Sequence, residues 1–211
     1  MAEELLKKYE SRKVEIKSRL QEFLQVKNEN DERLFAELSF CLCTPQSRAT
    51  VCWNAISSLV KNNLLYTGTI EQIKPFLNAI RFNDNKSKYI IGAREMLSNG
   101  PTLKIKGLLN SFENQFELRE WLVENVKGMG YKEASHFIRN IGMGNELAIL
   151  DTHILKNLEK YEVIDSIPKS LSKKTYLDIE AKMKAFAGKI GIPFDELDLL
   201  LWAEETGFIF K

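Results

Sequence analysis

Apolar residues recur with the period of an α-helix along almost the whole chain, and this pattern limits the possible folds more than any other feature. Residues 3–26 and 31–41 both carry such a stripe, because residues three or four positions apart share one face of a helix. No window of five or six residues alternates between apolar and polar side chains as a half-buried strand requires. The sequence therefore predicts an all-α protein.

Capping and helix-breaking residues predict where these helices begin and end. Asp, Thr and Pro are typical of helix starts, and Gly and Pro follow helix ends. Such signals stand at Asp31 before a second helix that Pro45 closes, at Thr69 with Gln72, at residues 99–101, and at Pro193 with Gly207. The short connections between them predict a compact bundle.

Length and charge narrow the class of protein. A chain of 211 residues with 44% hydrophobic content buries a sizeable core, and it fits one large domain or two small lobes. Thirty basic residues against 29 acidic ones leave a net charge of +1. This balance is not that of a strongly electrostatic nucleic-acid binder. Any contact with DNA must therefore be local.

Cysteine usage and targeting signals favour an ordinary cytoplasmic protein. Cys41, Cys43 and Cys52 are too few for a four-cysteine metal site and too close together for a disulfide framework, so we expect them to be small buried residues. No apolar run approaches the roughly 20 residues that span a bilayer. The charged N-terminal segment lacks the apolar block of a signal peptide.

Residues 116–142 predict a helix-hairpin-helix. "FELREWLVENV" and "YKEASHFIRNI" are amphipathic helices, and "KGMG" between them supplies glycines for a tight turn. Such a hairpin offers unpaired main-chain N–H groups at the start of its second helix, where a phosphate oxygen can bind. The two glycines alone do not exclude a plain corner between two helices.

Two residues near this hairpin can carry chemistry. Lys132 stands at the start of the second helix; it either pairs with a phosphate or acts as a nucleophilic amine. The positive end of a helix and desolvation under a bound duplex both favour the neutral amine. Asp151 precedes another helix and is by itself an ordinary N-cap. A capping carboxylate can also stabilise positive charge that develops on a sugar.

The spacing of these two residues resembles a known superfamily. Asp151 lies 19 residues after Lys132, and "GMGY" precedes the lysine, as in the helix-hairpin-helix base-excision DNA glycosylases. The segments at 34–56 and 80–90, with the ending "LLLWAEETGFIFK", are similar to the archaeal-type 8-oxoguanine DNA glycosylases, the second Ogg family. The segment "NIGMGNELAILD" lacks the proline of the superfamily pattern.

The resemblance implies an architecture of two helical lobes without a β-domain. Residues 31–145, including the hairpin at about 116–142, form one lobe, and residues 1–30 with 146–211 form the other. DNA and the extruded base bind between them. The resemblance also implies that no cofactor is required and no iron–sulfur cluster is present, while main-chain carbonyls of the hairpin can hold Na⁺ or K⁺.

The resemblance also assigns roles to individual residues. Lys132 is the nucleophile that forms a Schiff base, and Asp151 is its electrostatic partner. Gln46 fills the gap left by the everted nucleotide, or is an ordinary polar residue after Pro45. The base site takes Phe82, Trp202 and Lys211, while Gly128, Gly130 and Tyr131 bind the DNA backbone. The two aromatic residues can equally be core, and His136 and His153 are structural or face a phosphate.

The implied activity is that of a bifunctional DNA glycosylase and AP lyase that removes 8-oxoguanine from double-stranded DNA. We expect a prokaryotic, nucleoid-associated monomer that does not bind membranes. Two other classes stay open. A non-catalytic helix-hairpin-helix module needs neither Lys132 nor Asp151, and a glycosylase of other base specificity keeps Asp151. An apolar chain end at Phe208 to Phe210 predicts that Lys211 is held against the core.

Overall fold

The computed structural model describes residues 2–211, and helices account for most of them. The described part of the chain contains twelve α-helices, one 3-10 helix (η1) and one pair of two-residue strands. In chain order these elements are α1 (Ala2–Val26), α2 (Asp31–Cys43), α3 (Ala49–Lys61), α4 (Leu64–Thr67), α5 (Ile70–Ile73), η1 (Lys74–Leu77), α6 (Asn83–Met96), β1 (Ser98–Asn99), β2 (Thr102–Leu103), α7 (Ile105–Leu109), α8 (Gln115–Asn125), α9 (Tyr131–Asn140), α10 (Thr152–Lys160), α11 (Lys173–Ile190) and α12 (Phe194–Thr206). The predicted all-α class is confirmed. None of these helices is long and apolar enough to cross a membrane.

Local sequence signals place most helix ends where they were predicted. The Oε1 atom of Gln72 accepts a hydrogen bond from the N–H of Thr69 at 2.9 Å, which is one half of the expected capping box. Pro193 immediately precedes α12, and Gly207 ends it in the left-handed conformation with a φ of 85°. Glycine adopts this conformation without the steric cost that other residues pay.

The predicted cap of α2 is wrong by one residue. The side chain of Asn30, not Asp31, accepts the hydrogen bond from the N–H of Arg33 at 2.8 Å. Asn and Asp are about equally favoured at an N-cap, so the adjacent pair gave no local basis for choosing between them. Asp31 instead accepts the N–H of Lys106 at 2.7 Å and so ties α2 to α7.

A small β-hairpin stands where a plain turn between two helices was expected. Ser98 pairs with Leu103 and Asn99 with Thr102 in antiparallel register. Gly100 sits at the turn with a φ of 61°, a conformation that favours glycine. Two residues per strand are too few to show the alternation by which strands are recognised in a sequence.

The buried apolar residues form two clusters. The first cluster draws on residues between 26 and 147, and includes the buried cysteines of α2 and α3. The second cluster draws on residues 5–23 and 148–209. Helix α1 contributes to both, since Val26 belongs to the first and Leu5 to the second. The lobe boundaries given above stay a prediction.

Two buried ion pairs join helices of the first cluster to helices of the second. Arg119 on α8 binds both carboxylate oxygens of Glu180 on α11, at 2.6 and 2.8 Å. Arg139 on α9 binds Asp198 on α12 at 3.3 Å. Breaking such a pair leaves an uncompensated buried charge. The pairs therefore fix how the hairpin helices α8 and α9 meet α11 and α12.

Candidate active site

The turn between α8 and α9 has the geometry of a helix-hairpin-helix. Gly128 adopts a φ of 90°, and a Cβ atom on it would lie 2.2 Å from Cδ2 of Tyr89. Both its conformation and its space therefore require glycine. Gly130 is the N-cap of α9 in an extended conformation, so only the first of the two glycines uses a positive φ. Its N–H donates to Oε2 of Glu133 at 3.2 Å.

The side chain of Tyr131 is held within the protein. Its hydroxyl donates to Oε2 of Glu120 at 2.5 Å. Its ring packs against that of Tyr176, with centroids 5.5 Å apart. At this position the main chain, rather than the phenol, is free to meet a DNA backbone.

Lys132 occupies the second position of α9, and its side chain is 19% exposed. The Nζ atom donates a hydrogen bond to Oγ1 of Thr44 at 3.0 Å. It also lies 3.5 Å from Oε1 of Glu133. The amine is therefore held between α9 and the end of α2.

Asp151 is the N-cap of α10. Its Oδ1 atom accepts hydrogen bonds from the N–H groups of His153 and Ile154 at 2.8 and 2.9 Å. These bonds satisfy two of the free donors at the helix start. The capping role predicted from the sequence is thus confirmed, and the carboxylate is fixed in direction.

The segment that leads into Asp151, residues 147–151, is held by side chains instead of by a neighbouring strand. The N–H of Ala148 donates to Oε2 of Glu180 at 2.8 Å, and its carbonyl accepts from the hydroxyl of Tyr176 at 2.7 Å. The same hydroxyl accepts the N–H of Leu150 at 3.3 Å. Residues 176 and 180 both lie on α11, so one helix fixes the depth of this segment.

Helix α12 supplies the next contact. Oδ1 of Asp198 accepts the N–H of Ile149 at 3.1 Å, while Oδ2 binds Arg139. Burial raises the pKa of Asp198 to about 6, although the charge of Arg139 acts in the opposite direction. A single carboxylate therefore links the segment before Asp151 to the helix that carries Lys132.

One cavity of about 870 Å³ brings most of the predicted residues together. Its lining includes Lys132, Asp151, Gln46, Trp202 and Lys211. These residues come from α9, the N-cap of α10, the loop after α2, α12 and the end of the chain. Residues distant in the sequence thus share one concave surface large enough for an extruded base.

Trp202 and Lys211 both contribute to the lining of this cavity. The indole makes edge-to-face contacts with the rings of His153 and Phe208, with centroids 6.3 and 5.5 Å apart. The ammonium of Lys211 pairs with Glu37 and lies 3.4 Å from the centroid of the Trp53 ring. Burial lowers the pKa of Lys211, and Glu37 opposes this effect. The chain end is docked, as its apolar residues predicted.

Gln46 and Phe82 are exposed residues in the left-handed conformation, with φ values of 54° and 59°. This conformation is uncommon for residues other than glycine, and it often marks functional positions. Gln46 lines the cavity. Phe82 does not line it, although the N–H of the preceding Arg81 donates to Oγ of the lining residue Ser47 at 3.1 Å. The structure therefore does not bring Phe82 to the cavity wall, and its contact with the base stays a prediction.

His136 and His153 differ in their surroundings. His136 is 5% exposed, and neither ring nitrogen has a hydrogen-bond partner within residues 2–211. Burial holds the pKa of His136 well below 6.5, and the positive charge of Lys132 acts in the same direction; the nearby main chain of Lys211 has the opposite effect. Nδ1 of His153 lies 3.9 Å from Oε2 of Glu205.

No three His, Cys, Asp or Glu side chains of the described chain come together as a metal site. The carbonyl groups of Val126 and Gly130 in the hairpin accept hydrogen bonds from Met129 and Ala134 at 3.1 and 2.9 Å. A carbonyl oxygen keeps a second lone pair in such an arrangement. Which hairpin carbonyls would hold Na⁺ or K⁺ is left open by these bonds, and the cation stays a prediction.

Several lining residues were missed by sequence reasoning, among them Thr44 and Arg139. Arg139 lies seven residues after Lys132 on the same helix, a spacing that puts both side chains on one face. That signal was available. Thr44 gave none, because its contact with Lys132 joins residues 88 positions apart.

Comparison with known proteins decides the family. Residues 16–192 match the Ogg-HhH family, described as 8-oxoguanine DNA glycosylase. The chain belongs to this family. A relative from Fusobacterium nucleatum, named 8-oxoguanine DNA glycosylase/AP lyase, is 48% identical over 209 residues, which are 99% of this chain and 96% of that protein.

Two solved structures agree with this assignment. One is the crystal structure of the Methanocaldococcus jannaschii 8-oxoguanine glycosylase/lyase in complex with 15mer DNA containing 8-oxoguanine. It superimposes on this chain with a TM-score of 0.88 at 36% sequence identity, and the match covers 98% of this chain and 99% of that chain. The 8-oxoguanine DNA glycosylase of Thermotoga maritima has a TM-score of 0.88 at 34% identity, over 100% and 98% of the two chains. The predicted membership of the archaeal-type 8-oxoguanine DNA glycosylases and the predicted helical fold are therefore confirmed.

Proposed function

We propose that this chain excises 8-oxoguanine from double-stranded DNA and then cleaves the strand at the abasic site, with Lys132 as the nucleophile. The observation that carries the proposal is that Lys132 and Asp151 line one cavity in a member of this family. A lysine and a fixed carboxylate are the two groups that such a reaction needs.

The reaction begins with extrusion of the damaged base from the duplex. A base inside a duplex is unreachable, so it is extruded at a cost of a few kcal/mol and received by a pocket. Gln46 fills the gap that the base leaves in the stack. Gly128, Gly130 and Tyr131 contact the DNA backbone, and main-chain N–H groups at the start of α9 bind a phosphate there. The N–H of Gly130 is not one of these donors, because it already binds Glu133. This mode of anchoring requires little net positive charge, in agreement with a net charge of +1.

In the first chemical step the nitrogen of Lys132 forms a bond to C1′ of the sugar. The bond from C1′ to N9 of the base breaks, and its electron pair leaves with the base, which then takes up a proton. The negative charge of Asp151 stabilises the positive charge that develops at C1′. The cap bonds from α10 hold this carboxylate still while the reaction proceeds.

In the second step the nitrogen of Lys132 loses a proton and forms a double bond to C1′, which makes an imine. The C1′–O4′ bond breaks at the same time, O4′ takes up a proton, and the sugar ring opens. The imine acidifies the proton on C2′; once this proton is removed, the electron pair forms a double bond and expels the 3′ phosphate oxygen. The strand is cut on the 3′ side of the lesion. Hydrolysis of the imine frees the lysine.

The base site and the physical state of the protein belong to the same proposal. Lys211 contacts the extruded base, and Trp202 and Phe82 form an aromatic wall for it; Trp202 and Lys211 line the cavity, and Arg81, next to Phe82, binds the lining residue Ser47. A monovalent cation on the hairpin carbonyls supports the phosphate contact. The protein acts as a monomer in the cytoplasm, at the nucleoid.

Borohydride trapping on a duplex that contains 8-oxoguanine tests the proposal. Reduction converts the imine to a stable covalent adduct, which we expect for the wild type and not for Lys132→Gln. Lys132→Gln should still bind the duplex, because main-chain groups anchor the phosphate. Lys189→Gln is the matched control, because it also removes one positive charge, at an exposed position near the end of α11. This variant should form the adduct as the wild type does.

The alternatives give different results in the same assay. A non-catalytic DNA-binding module binds the duplex without forming an adduct. A glycosylase of another specificity forms an adduct with another damaged base and not with 8-oxoguanine. If strand cleavage by Lys132→Gln stays within about tenfold of the wild type, or about 1.4 kcal/mol in the barrier, another residue is the nucleophile.

A further inference from the structure

The Lys132 amine donates a hydrogen bond to the hydroxyl oxygen of Thr44. The distance from Nζ to Oγ1 is 3.0 Å. Thr44 lines the same cavity and is only 7% exposed, so little water competes for this contact. The bond joins α9 to the loop after α2, which also carries Gln46.

The direction of the Thr44 hydroxyl is already determined by α2. The hydroxyl donates its hydrogen to the carbonyl of Cys41 at 2.9 Å. The main-chain N–H of Thr44 binds the same carbonyl at 3.2 Å, as the C-cap of α2. Since a hydroxyl has one hydrogen and two lone pairs, what remains for Lys132 is an acceptor.

The loop around Thr44 is held in place by a second lysine. Nζ of Lys86, on α6, donates to the carbonyls of Cys43 and Pro45 at 2.7 Å each and lies 3.3 Å from Oγ of Ser47. Burial lowers the pKa of Lys86. These contacts bracket Thr44 on both sides along the chain and hold its main chain in place, while the bond to Cys41 holds its hydroxyl.

A fixed acceptor has a specific consequence for an attacking amine. A neutral primary amine has two N–H bonds and one lone pair around its nitrogen. When one N–H donates to Thr44, rotation about the Cε–Nζ bond is restricted. With Glu133 at 3.5 Å as the second polar neighbour, the lone pair is confined to the remaining tetrahedral position.

We propose that Thr44 is a positioning residue for the reaction: its hydroxyl oxygen accepts one N–H of the Lys132 amine and thereby sets the direction of the nitrogen lone pair. This inference rests on the proposed function, in which Lys132 is the nucleophile. A reacting group that is displaced by about 1 Å can lose about 10²-fold in rate. Thr44 thus acts on the bond-forming step and not on the binding of DNA.

The test uses a duplex with a preformed abasic site, on which Lys132 forms the imine without any base removal. Borohydride trapping is followed under single-turnover conditions at saturating protein, together with the affinity for the duplex. Thr44→Val keeps the side-chain shape and removes the oxygen; Thr44→Ser keeps the oxygen. Thr67→Val is the matched control, since its exposed hydroxyl bonds to the carbonyl of Asn63 at 2.9 Å at the end of α4.

We expect Thr44→Val to slow trapping by about 10²-fold with unchanged affinity for the duplex. Thr44→Ser should stay within about threefold of the wild type, and Thr67→Val should match the wild type. If Thr44→Val does not melt cooperatively, Thr44→Ala removes the same oxygen and replaces it in the comparison.

Two results would overturn the inference. One is trapping by a folded Thr44→Val or Thr44→Ala within about threefold of the wild type. The other is an equal loss in Thr44→Ser and Thr44→Val, which would assign the effect to the shape of the loop. A wild type that binds the duplex but forms no adduct would instead refute the role of Lys132 itself.

Discussion

Asp151→Asn separates two roles that one carboxylate combines. The substitution removes the charge and keeps an oxygen in the place of Oδ1, the atom that accepts both cap bonds from α10. The chain itself shows that an amide is sufficient for such a cap. At the start of α8, Oδ1 of Asn114 accepts the N–H groups of Phe116 and Glu117 at 3.0 Å each.

The two effects differ in magnitude. Replacing a good N-cap even with alanine costs about 0.5–2 kcal/mol, and the interaction of a charge with the helix dipole is about 0.3–1 kcal/mol. Asp151→Asn keeps the cap and loses only the charge, so the free energy of unfolding should fall by less than about 1 kcal/mol. Loss of one group that stabilises a developing charge costs about 10²–10³-fold in rate.

Urea unfolding measures the first effect, and single-turnover excision of 8-oxoguanine measures the second. Asn114→Asp is the reciprocal control, because it adds a charge to the equivalent cap at α8 and should leave excision unchanged. Asp151 serves only as a cap if excision by Asp151→Asn falls by less than about tenfold. The same conclusion follows if the variant loses more activity but regains it on cooling in proportion to the fraction of folded protein.

Two further predictions concern Lys211 and His136, which also line the cavity. Deleting Lys211 should reduce excision of 8-oxoguanine by more than about tenfold. The melting temperature and the binding of undamaged DNA should change little, because Glu37 keeps its partner Arg33 at 2.6 Å. Unaltered excision and unaltered discrimination against guanine would remove Lys211 from the base site. The buried neutral His136 should make the wild type lose stability below pH 6.5, by up to about 1.4 kcal/mol per pH unit, because the unfolded state binds the extra proton. His136→Phe should lose less between pH 7 and pH 5 in urea unfolding, and parallel losses in the two proteins would contradict this account.

The features that the sequence predicted are those set by residues close together in the chain. The hairpin needs only a turn glycine between two amphipathic helices, and the cap at Asp151 involves N–H groups two and three residues away. A resemblance to a family then added the roles of Lys132 and Asp151, which local chemistry left open.

The features that the sequence did not predict depend on contacts between distant residues. Tyr176, Glu180 and Asp198 bind the segment before Asp151 from 28, 32 and 49 residues away. A buried acidic residue on an amphipathic helix looks the same in a sequence whatever it contacts. The same reasoning explains why Asn30 rather than Asp31 capped α2: two adjacent residues of equal propensity are separated only by packing, here by the bond from Asp31 to α7.

The side-chain support of residues 147–151 means that this site cannot be transplanted as a motif. In a sheet, the neighbouring main chain supplies the hydrogen bonds, and almost any side chain is compatible with them. Here each bond depends on the identity of one residue on α11 or α12. A graft of residues 128–151 onto another helical hairpin would carry the lysine and the aspartate and leave the main chain before the aspartate without its acceptors. An engineer who wishes to move this chemistry to a new scaffold must therefore move two further helices with it.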